Sequence, residues 1–370
     1  MELLITCPFW LWSLLAHEIK KIGYLPKNTF QTWTFVDSDM KGMMKINYHS
    51  RLANKVYIQL IEWKTTNFDE LFSLIKSCDY SQYTSNSNIS IKVETKNSIL
   101  SSTRAIQSVS HKALLESISK FWIEEKHVND LLLIIDHNIT KLYLNTSWFA
   151  LYQRGYKKEV WEAPLKENLA AALLILSWWK VKSPFIDPFC WSWTIAIEAA
   201  LMAKNIAPWT WRKFNFEYFK NFESKNFSTI KEEAKGQEFS WEYSISAYDI
   251  DSNMIKIAQS NARNAWVLDL ISFEQKDFLK TDINSQWKSW IVCNPPYGKR
   301  LHDVNLSLLY KKLESTFKND IYWWWISSYY HTLKDVNNWN TKNYLTDQKN
   351  VTFIGGKISI QLSPLFLISH

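Results

Sequence analysis

Residues 184–200, PFIDPFCWSWTIAIEAA, constrain this chain more than any other stretch. Pro184-Phe185-Ile186 reads as a short buried strand that ends on the acid Asp187. A tight bend follows through Phe189, Cys190, Trp191, Ser192 and Trp193, and from Thr194 onward the apolar residues recur at helical spacing. A strand, an acidic bend and a helix together outline a site for a nucleotide-type ligand. In such a bend the backbone comes close to the ligand and one or two residues need positive φ, and both demands call for glycine. Here Trp191 and Trp193 stand in those places.

Composition bears on this directly. Average usage of about 7% would give a chain of this length roughly 26 glycines. The chain has 7 Gly and 21 Trp, which together come close to the ordinary glycine number. One reading is that many of these tryptophans are glycines in the molecule as its source makes it, as when a glycine codon is translated as tryptophan. The other is a Trp-rich protein with a filled, degenerate pocket. A local test favours the first: Asp251–Ala265 has helical apolar spacing, the next residue should be a left-handed cap, and it is Trp266.

The bulk numbers exclude several classes. With 370 residues, 46% hydrophobic and 21% charged, the chain has material for two or three globular domains. No apolar run reaches the roughly 18 residues of a membrane span, and Met1-Glu2-Leu3-Leu4-Ile5 lacks the basic flank of a signal peptide, so a cytoplasmic protein without a membrane partner is expected. Cys7, Cys78, Cys190 and Cys293 are widely separated, which indicates neither a disulfide framework nor a metal site. A net charge of +7 is a modest bias toward polyanions.

Along the chain, helices are expected at Cys7–Gly23, Tyr48–Ile61 and Phe68–Ser77, with strand-like runs at Thr32–Val36 and Met43–Asn47. Beyond a polar loop at Ser81–Ser90, Ile89–Glu94 alternates as a strand, Ser110–Lys120 as a helix, and Leu131–Asp136 with Lys141–Asn145 as a hairpin. Lys92, Lys96, Arg104, Gln107, His111 and Lys112 form either an RNA-facing surface or an ordinary solvated face. Gly155–Pro164 reads as a connector and Leu165–Leu176 as an apolar helix. From Asp187 onward strand and helix alternate, which means a parallel sheet flanked by helices. Phe214–Phe239 carries no readable pattern, and the last strands are Ile321–Ser327 and a pair joined by a turn at Gly355-Gly356.

Four polar residues fall at strand ends: Asp187, Asp249 (followed by Ile250), Asp277 (followed by Phe278) and Asn294. In a doubly wound sheet the ligand lies at those ends. Asn294-Pro295-Pro296-Tyr297-Gly298 adds chemistry. Two prolines hold an extended backbone without amide hydrogens, so its carbonyls are free acceptors. The Asn oxygen and a Pro carbonyl can accept both hydrogens of an exocyclic amine while the Tyr ring stacks on the base. A carboxylate in the position of Asp249 can accept from two ribose hydroxyls. Cys190 and Cys293 read as small buried fillers.

The blocks DPFCWSWTIAIEAA, AYDID, QKDF and NPPYGKRL resemble class I S-adenosylmethionine-dependent methyltransferases that act on exocyclic amines. The start MELLITCPFW, the span ILSSTRAIQSVSHKAL and the run RGYKKEVWEAPLKENLAAALL are more closely similar to the THUMP-domain ribosomal RNA guanine-N2-methyltransferases, the RlmL-like, YpsC-type group. The resemblance covers nearly the whole chain. It implies an α/β fold: a Rossmann-like methyltransferase domain, with a sheet of about seven strands closed by an antiparallel hairpin, after an α+β ferredoxin-like and THUMP RNA-binding region. The domains expected are 1–50 ferredoxin-like, 51–150 THUMP-like, 151–164 linker and 165–370 methyltransferase.

By the same resemblance, S-adenosyl-L-methionine is the cofactor. Asp187 with the loop Cys190, Trp191, Ser192 and Trp193 would hold its methionine end, Asp249 the ribose and Asp277 the adenine, with Phe189, Thr194, Ile250 and Phe278 also among the cofactor-binding residues. Asn294, Pro295, Pro296 and Tyr297 would hold a guanine of ribosomal RNA, with no metal involved. Trp148, Trp161, Trp178, Trp191, Trp193, Trp209, Trp266 and Trp290 depart from the family, nearly all where it commonly has glycine. A transfer RNA guanine-N2-methyltransferase and a DNA adenine-N6-methyltransferase remain open. So does a non-catalytic RNA-binding assembly protein, should Trp191 and Trp193 be genuine.

Overall fold

The computed structural model describes residues 1–9, 11–30, 32–84, 88–118, 128–158, 165–209, 212–282, 289–295, 308–309, 311–313, 322–327, 344–345 and 352–356. The chain forms two units, one of residues 1–155 with 206–238, the other of 156–205 with 239–370. Among the described residues no helix is long and apolar enough to cross a membrane.

The first unit is built on one sheet. Its elements are β1 (Glu2–Thr6), α1 (Trp12–Ile22), β2 (Pro26–Phe30), β3 (Trp33–Asp37), α2 (Met40–His49), β4 (Lys55–Lys64), α3 (Phe68–Ser77), β5 (Ile89–Lys96), α4 (Thr103–Ile118), β6 (Asn129–Asp136) and β7 (Ile139–Asn145). The strand order is β2-β3-β1-β4-β7-β6-β5. Only β5 and β6 pair in parallel, because α4 supplies the crossover that parallel neighbours need. β6 and β7 meet antiparallel through His137 and Asn138, both at positive φ as a two-residue hairpin turn demands.

Two expectations fail here for one reason. Residues 43–47 lie inside α2 rather than in a strand, and 55–61 lie in β4 rather than in a helix. Asp39 caps α2 by accepting from the Gly42 amide at 2.7 Å, so a helix starts where the sequence suggested a strand. At its other end the half-buried Glu18 carboxylate accepts from Ser50 Oγ at 2.6 Å, the Arg51 amide at 2.8 Å and the Leu52 amide at 3.3 Å. Those amides would otherwise extend the helix, so α2 stops at His49 and the chain straightens into a strand between β1 and β7. Burial raises the Glu18 pKa.

The second unit begins with α5 (Glu167–Leu176), β8 (Phe185–Asp187) and α6 (Thr194–Ala203). Residues 206–238, which include most of the stretch Phe214–Phe239 that showed no pattern in the sequence, then belong to the first unit and carry α7 (Ser224–Gly236). They are tied there by backbone bonds from Phe216 to Thr146 (3.1 Å) and from Lys220 to Tyr83 (2.8 Å), and by Phe227 edge-on to Tyr48 at 5.8 Å. Arg212 donates to the carbonyls of Ser147, Phe149 (2.9 Å) and Ala150 (3.1 Å), gathering the turn after β7 around one guanidinium.

The chain resumes in the second unit with β9 (Ile245–Asp249), α8 (Ser252–Asn264), β10 (Ile271–Gln275), β11 (Trp290–Cys293), β12 (Tyr322–Ser327), β13 (Tyr344–Leu345) and β14 (Thr352–Gly356). The order is β10-β9-β8-β11-β12-β14-β13, parallel from β10 to β12, with β14 antiparallel to β12 and β13 antiparallel to β14. Gly355 and Gly356 do not form the expected turn. They lie in β14 opposite Trp324 and Trp323, because residues 352–354 pair with β12 and the ladder continues through both glycines. Successive strands build outward from β8 to β10, and β11 then returns to the other side of β8. That reversal is the switch point at which such sheets open a crevice.

Arg212→Ala should strip a charge-assisted donor from several carbonyls at once and destabilise the first unit by about 2–3 kcal/mol, read as a lower urea midpoint at unchanged slope.

Candidate functional site

The carboxyl ends of β10, β9, β8 and β11 carry, in that spatial order, Asp277, Asp249, Asp187 and Asn294. Asp187 and Asp249 are the last residues of their strands, Asn294 comes directly after β11, and Asp277 lies two residues beyond β10.

Asp187 is fully buried, with Oδ1 accepting from the Phe189 amide at 3.3 Å and Oδ2 having no hydrogen-bond partner among the described residues. Desolvation, and then the Asp249 charge, push its pKa up to about 8. Asp249 accepts from the Asp251 amide at 2.9 Å and also from the Trp191 amide, yet burial still raises its pKa to about 6. An orphaned carboxylate oxygen inside a protein costs free energy unless something else meets it. One acid in this state, with a second buried acid of raised pKa at the adjacent strand end, suits a ligand that brings donors or positive charge.

The bend between β8 and α6 is a single 3-10 turn, Cys190–Ser192, closed by the Trp193 amide donating to the Cys190 carbonyl. Trp193 has φ 42°, in the left-handed region. Its side chain is buried and its Nε1–H has no acceptor among the described residues. Thr194 opens α6 but is turned to the protein, its Oγ1 donating to the Leu165 carbonyl at 3.3 Å. Burial puts the Cys190 and Cys293 thiols well above their ordinary pKa, as inert core cysteines should be.

The remaining expected residues are distributed unevenly. Ile250 is 63% exposed beside Asp249, an apolar surface left open at the strand ends. The Asp277 carboxylate accepts from the Leu279 amide at 2.9 Å, while Phe278 is buried at 4.9 Å from Phe189 in a cluster with Ile186, Ile291 and Cys293. Phe189 and Phe278 thus brace the floor of the site together. Asn294 and Pro295 are buried at the end of β11, and Pro296 and Tyr297 lie outside the described residues.

Sequence reasoning missed the supports beneath. Residues read as a connector are anchored in the second unit: Tyr156 Oη meets the buried Glu198 on α6 at 3.2 Å, and the Lys158 amide donates to Asn261 on α8 at 3.2 Å. Lys157 Nζ donates to the Leu165 carbonyl at 2.7 Å and lies 3.4 Å from the buried Glu167. The available signal was an acid on the apolar face of each helix, Glu198 and Glu167, which needs a partner from elsewhere. In the first unit, Gln107 donates to the Ile91 carbonyl and Lys92 pairs with Glu94 at 2.6 Å, so both serve the fold there.

Residues 154–359, more than half of the chain, match the family model described as RMKL-like, methyltransferase domain. The chain belongs to this methyltransferase family. Residues 2–57 match the RlmL ferredoxin-like domain. The chain is 32% identical to the YpsC protein of Bacillus subtilis (strain 168) over 85% of its own length and 84% of that protein. It is 31% identical to the ribosomal RNA large subunit methyltransferase K/L of Shewanella baltica (strain OS185) over 84% of its length, but spans only 46% of that larger relative. Among solved structures, a Listeria monocytogenes protein named a predicted N6-adenine-specific DNA methylase superposes with a TM-score of 0.88 at 28% identity, covering 96% of each chain. This Rossmann-like methyltransferase domain with a ferredoxin-like region before it is therefore a family architecture.

An acid whose pKa is higher folded than unfolded stabilises the fold in its protonated form. The Asp187 contribution is complete below its unfolded value of 3.8 and is lost as pH rises through about 8; that of Asp249 is lost through about 6. The ligand-free thermal midpoint should therefore fall between about pH 4 and pH 8. Asp187→Asn should flatten the upper part of that slope, as seen by calorimetry across pH.

Proposed function

We propose that this methyltransferase modifies the exocyclic N2 amine of a guanine in large-subunit ribosomal RNA. The observation that carries the reading is the spatial order Asp277, Asp249, Asp187, Asn294 along four adjacent strand ends. It runs in the same order as the adenine, the ribose, the methionine end and the acceptor amine in a methyl transfer from S-adenosylmethionine. The ribosomal RNA methyltransferase K/L relatives and the RlmL-type ferredoxin-like domain support RNA as the substrate class.

When bound, S-adenosylmethionine supplies an electrophilic methyl group on a sulfonium. Asp187 would accept from the ammonium of its methionine end through the oxygen that otherwise has no partner. Asp249 would accept from ribose hydroxyls, Ile250 would cover the adenine face, and Asp277 would take the adenine amine above the Phe278 floor. The bend residues 189–194 would fix the methionine end through the backbone.

On the acceptor side, the guanine N2 lone pair is delocalised into the ring and nucleophilic only weakly. The Asn294 side chain and the Pro295 carbonyl would accept both amine hydrogens and so localise that lone pair on the nitrogen, and Tyr297 would stack on the base. As the methyl moves to nitrogen, the electron pair of the broken sulfur–methyl bond would leave with S-adenosylhomocysteine and the amine would lose one proton to solvent. Positioning and electrostatics then account for the acceleration, and no covalent intermediate is needed. A guanine within folded RNA has to be flipped out to reach these groups. The amino-terminal unit would hold the surrounding RNA by its shape and phosphates.

Asn294→Ala should lower single-turnover methyl transfer by about 10²–10³-fold and leave RNA affinity within a few fold. Nucleoside analysis of the wild-type product should give N2-methylguanine. N6-methyladenine would overturn the choice of base, and full turnover in the variant would remove Asn294 from the mechanism.

A further inference from the structure

Among the described residues the non-glycine positions with positive φ are Asn97, His137, Asn138, Trp148, Trp178, Trp193, Asn205 and Trp266. Asparagine enters the left-handed region readily because its short amide bonds locally, and histidine is also enriched there. Tryptophan has no such excuse. Yet it takes half of these positions, with φ of 71°, 54°, 42° and 57° for Trp148, Trp178, Trp193 and Trp266.

Two of the four positions are helix ends whose backbone role another residue of this chain fills conventionally. After α8 the Trp266 amide donates to the Arg263 carbonyl and the Val267 amide to the Ala262 carbonyl, both at 3.0 Å. After α1 the same paired bonds run from Gly23 to Lys20 and from Tyr24 to Ile19, both at 3.1 Å, with glycine at the left-handed residue. Trp178 after α5 donates to the Ile175 carbonyl at 3.2 Å, as Asn205 after α6 donates to Met202 at 3.1 Å. The two indoles are 58% and 62% exposed. A left-handed cap of this kind is the position that glycine occupies in about a third to a half of helices.

Trp193 adds an independent signal at the site. It is buried at the bend after β8 with an unpaired Nε1–H, close in the chain to Asp187, whose Oδ2 is also unpaired. Trp148 is at the turn after β7, where the Asn145 side chain donates to its carbonyl at 2.8 Å. Its ring stacks on Phe149 at 5.3 Å, so here the backbone alone speaks for glycine.

We propose that the polypeptide made by the source organism carries glycine at positions 148, 178, 193 and 266, and that the glycine at 193 clears the bend for the methionine end of the cofactor. The proposal about residue identity stands on backbone geometry and on the count of 7 Gly against 21 Trp, and not on the identity of the methylated base. It does not extend to Trp209, whose Nε1 donates to the Ser50 carbonyl at 2.9 Å, or to Trp290 in β11, neither of which has positive φ. Trp161 lies outside the described residues.

The test is peptide mass spectrometry of the protein isolated from its native host. Each of the four peptides should be lighter by the difference between an indolylmethyl group and a hydrogen atom, and an unshifted mass at any of them overturns the assignment there. A second measurement uses the chain produced with the sequence as written. Trp178→Gly and Trp266→Gly should each raise the thermal midpoint by about 2–4 °C, and an unchanged or lower midpoint counts against glycine at that cap. Trp193→Gly should bind S-adenosylhomocysteine at least about tenfold more tightly by titration calorimetry, a difference of about 1.4 kcal/mol. Equal affinity would overturn the claim that the indole obstructs the bend. If the masses shift but the product is not N2-methylguanine, the residue assignment stands and only the choice of base fails.

Discussion

A carboxylate at the end of the central strand is kept out of water with one oxygen unmatched, and much of the second unit serves to hold it there. Asp187 ends β8, the strand from which the sheet is built outward in both directions. Leaving such a group buried without a partner is unfavourable. The surrounding structure tolerates it because β9 and β11 fix the strand on both sides, and because Phe189 and Phe278 pack beneath the bend. An enzyme gains from this arrangement when its ligand supplies the missing donor, since the cost borne by the empty fold is relieved only on binding.

The same reasoning explains the otherwise odd placement of acids on apolar helices. Glu198 and Glu167 are buried on α6 and α5, and each meets a partner from the stretch just after residue 155. That stretch strings Tyr156, Lys157 and Lys158 across three helices, α5, α6 and α8, and so ties together the elements that frame the crevice. A buried charge pair contributes little net stability compared with apolar packing, but it punishes misalignment severely. Registration of the helices that carry the bend is the property such pairs secure.

Legibility followed the range of the forces involved. The strand ends at Asp187, Asp249 and Asn294 could be read because each sits where a short apolar run stops, a local signal. So could α3, where the Asn67 side chain accepts from the Glu70 amide and the Glu70 carboxylate accepts from the Thr66 amide. What sequence reading misplaced was set by partners far along the chain. Glu18 ends α2 from about thirty residues away by taking amides that a helix would have used. The stretch Phe214–Phe239 showed no pattern because its rings cluster with one another and with Tyr48 and Tyr83 instead of recurring at a helix or strand spacing. The Gly355-Gly356 pair looked like a turn, and only the long-range ladder with β12 makes it a strand. Conversely, the left-handed backbone at Trp178 and Trp266 follows from the helix ends themselves, which is why the cap at 266 was visible before any coordinates.

Choice of base has to be settled away from the amine. An Asn oxygen and a proline carbonyl can accept the two hydrogens of guanine N2 and of adenine N6 alike, so in the role proposed for them Asn294 and Pro295 would select for an amino group on a planar ring and not for which ring. Discrimination then falls to the neighbouring edge of the base, where guanine offers an N–H and adenine a bare nitrogen. A buried donor on the enzyme opposite that edge would be left unpaired with one base and satisfied with the other, a difference large enough to separate them by orders of magnitude. Selection of RNA over DNA needs a further contact, to a 2′-hydroxyl or to the folded shape around the target. In the proposed reading the first unit would supply it, since its sheet carries none of the four strand-end residues assigned there to the methyl transfer.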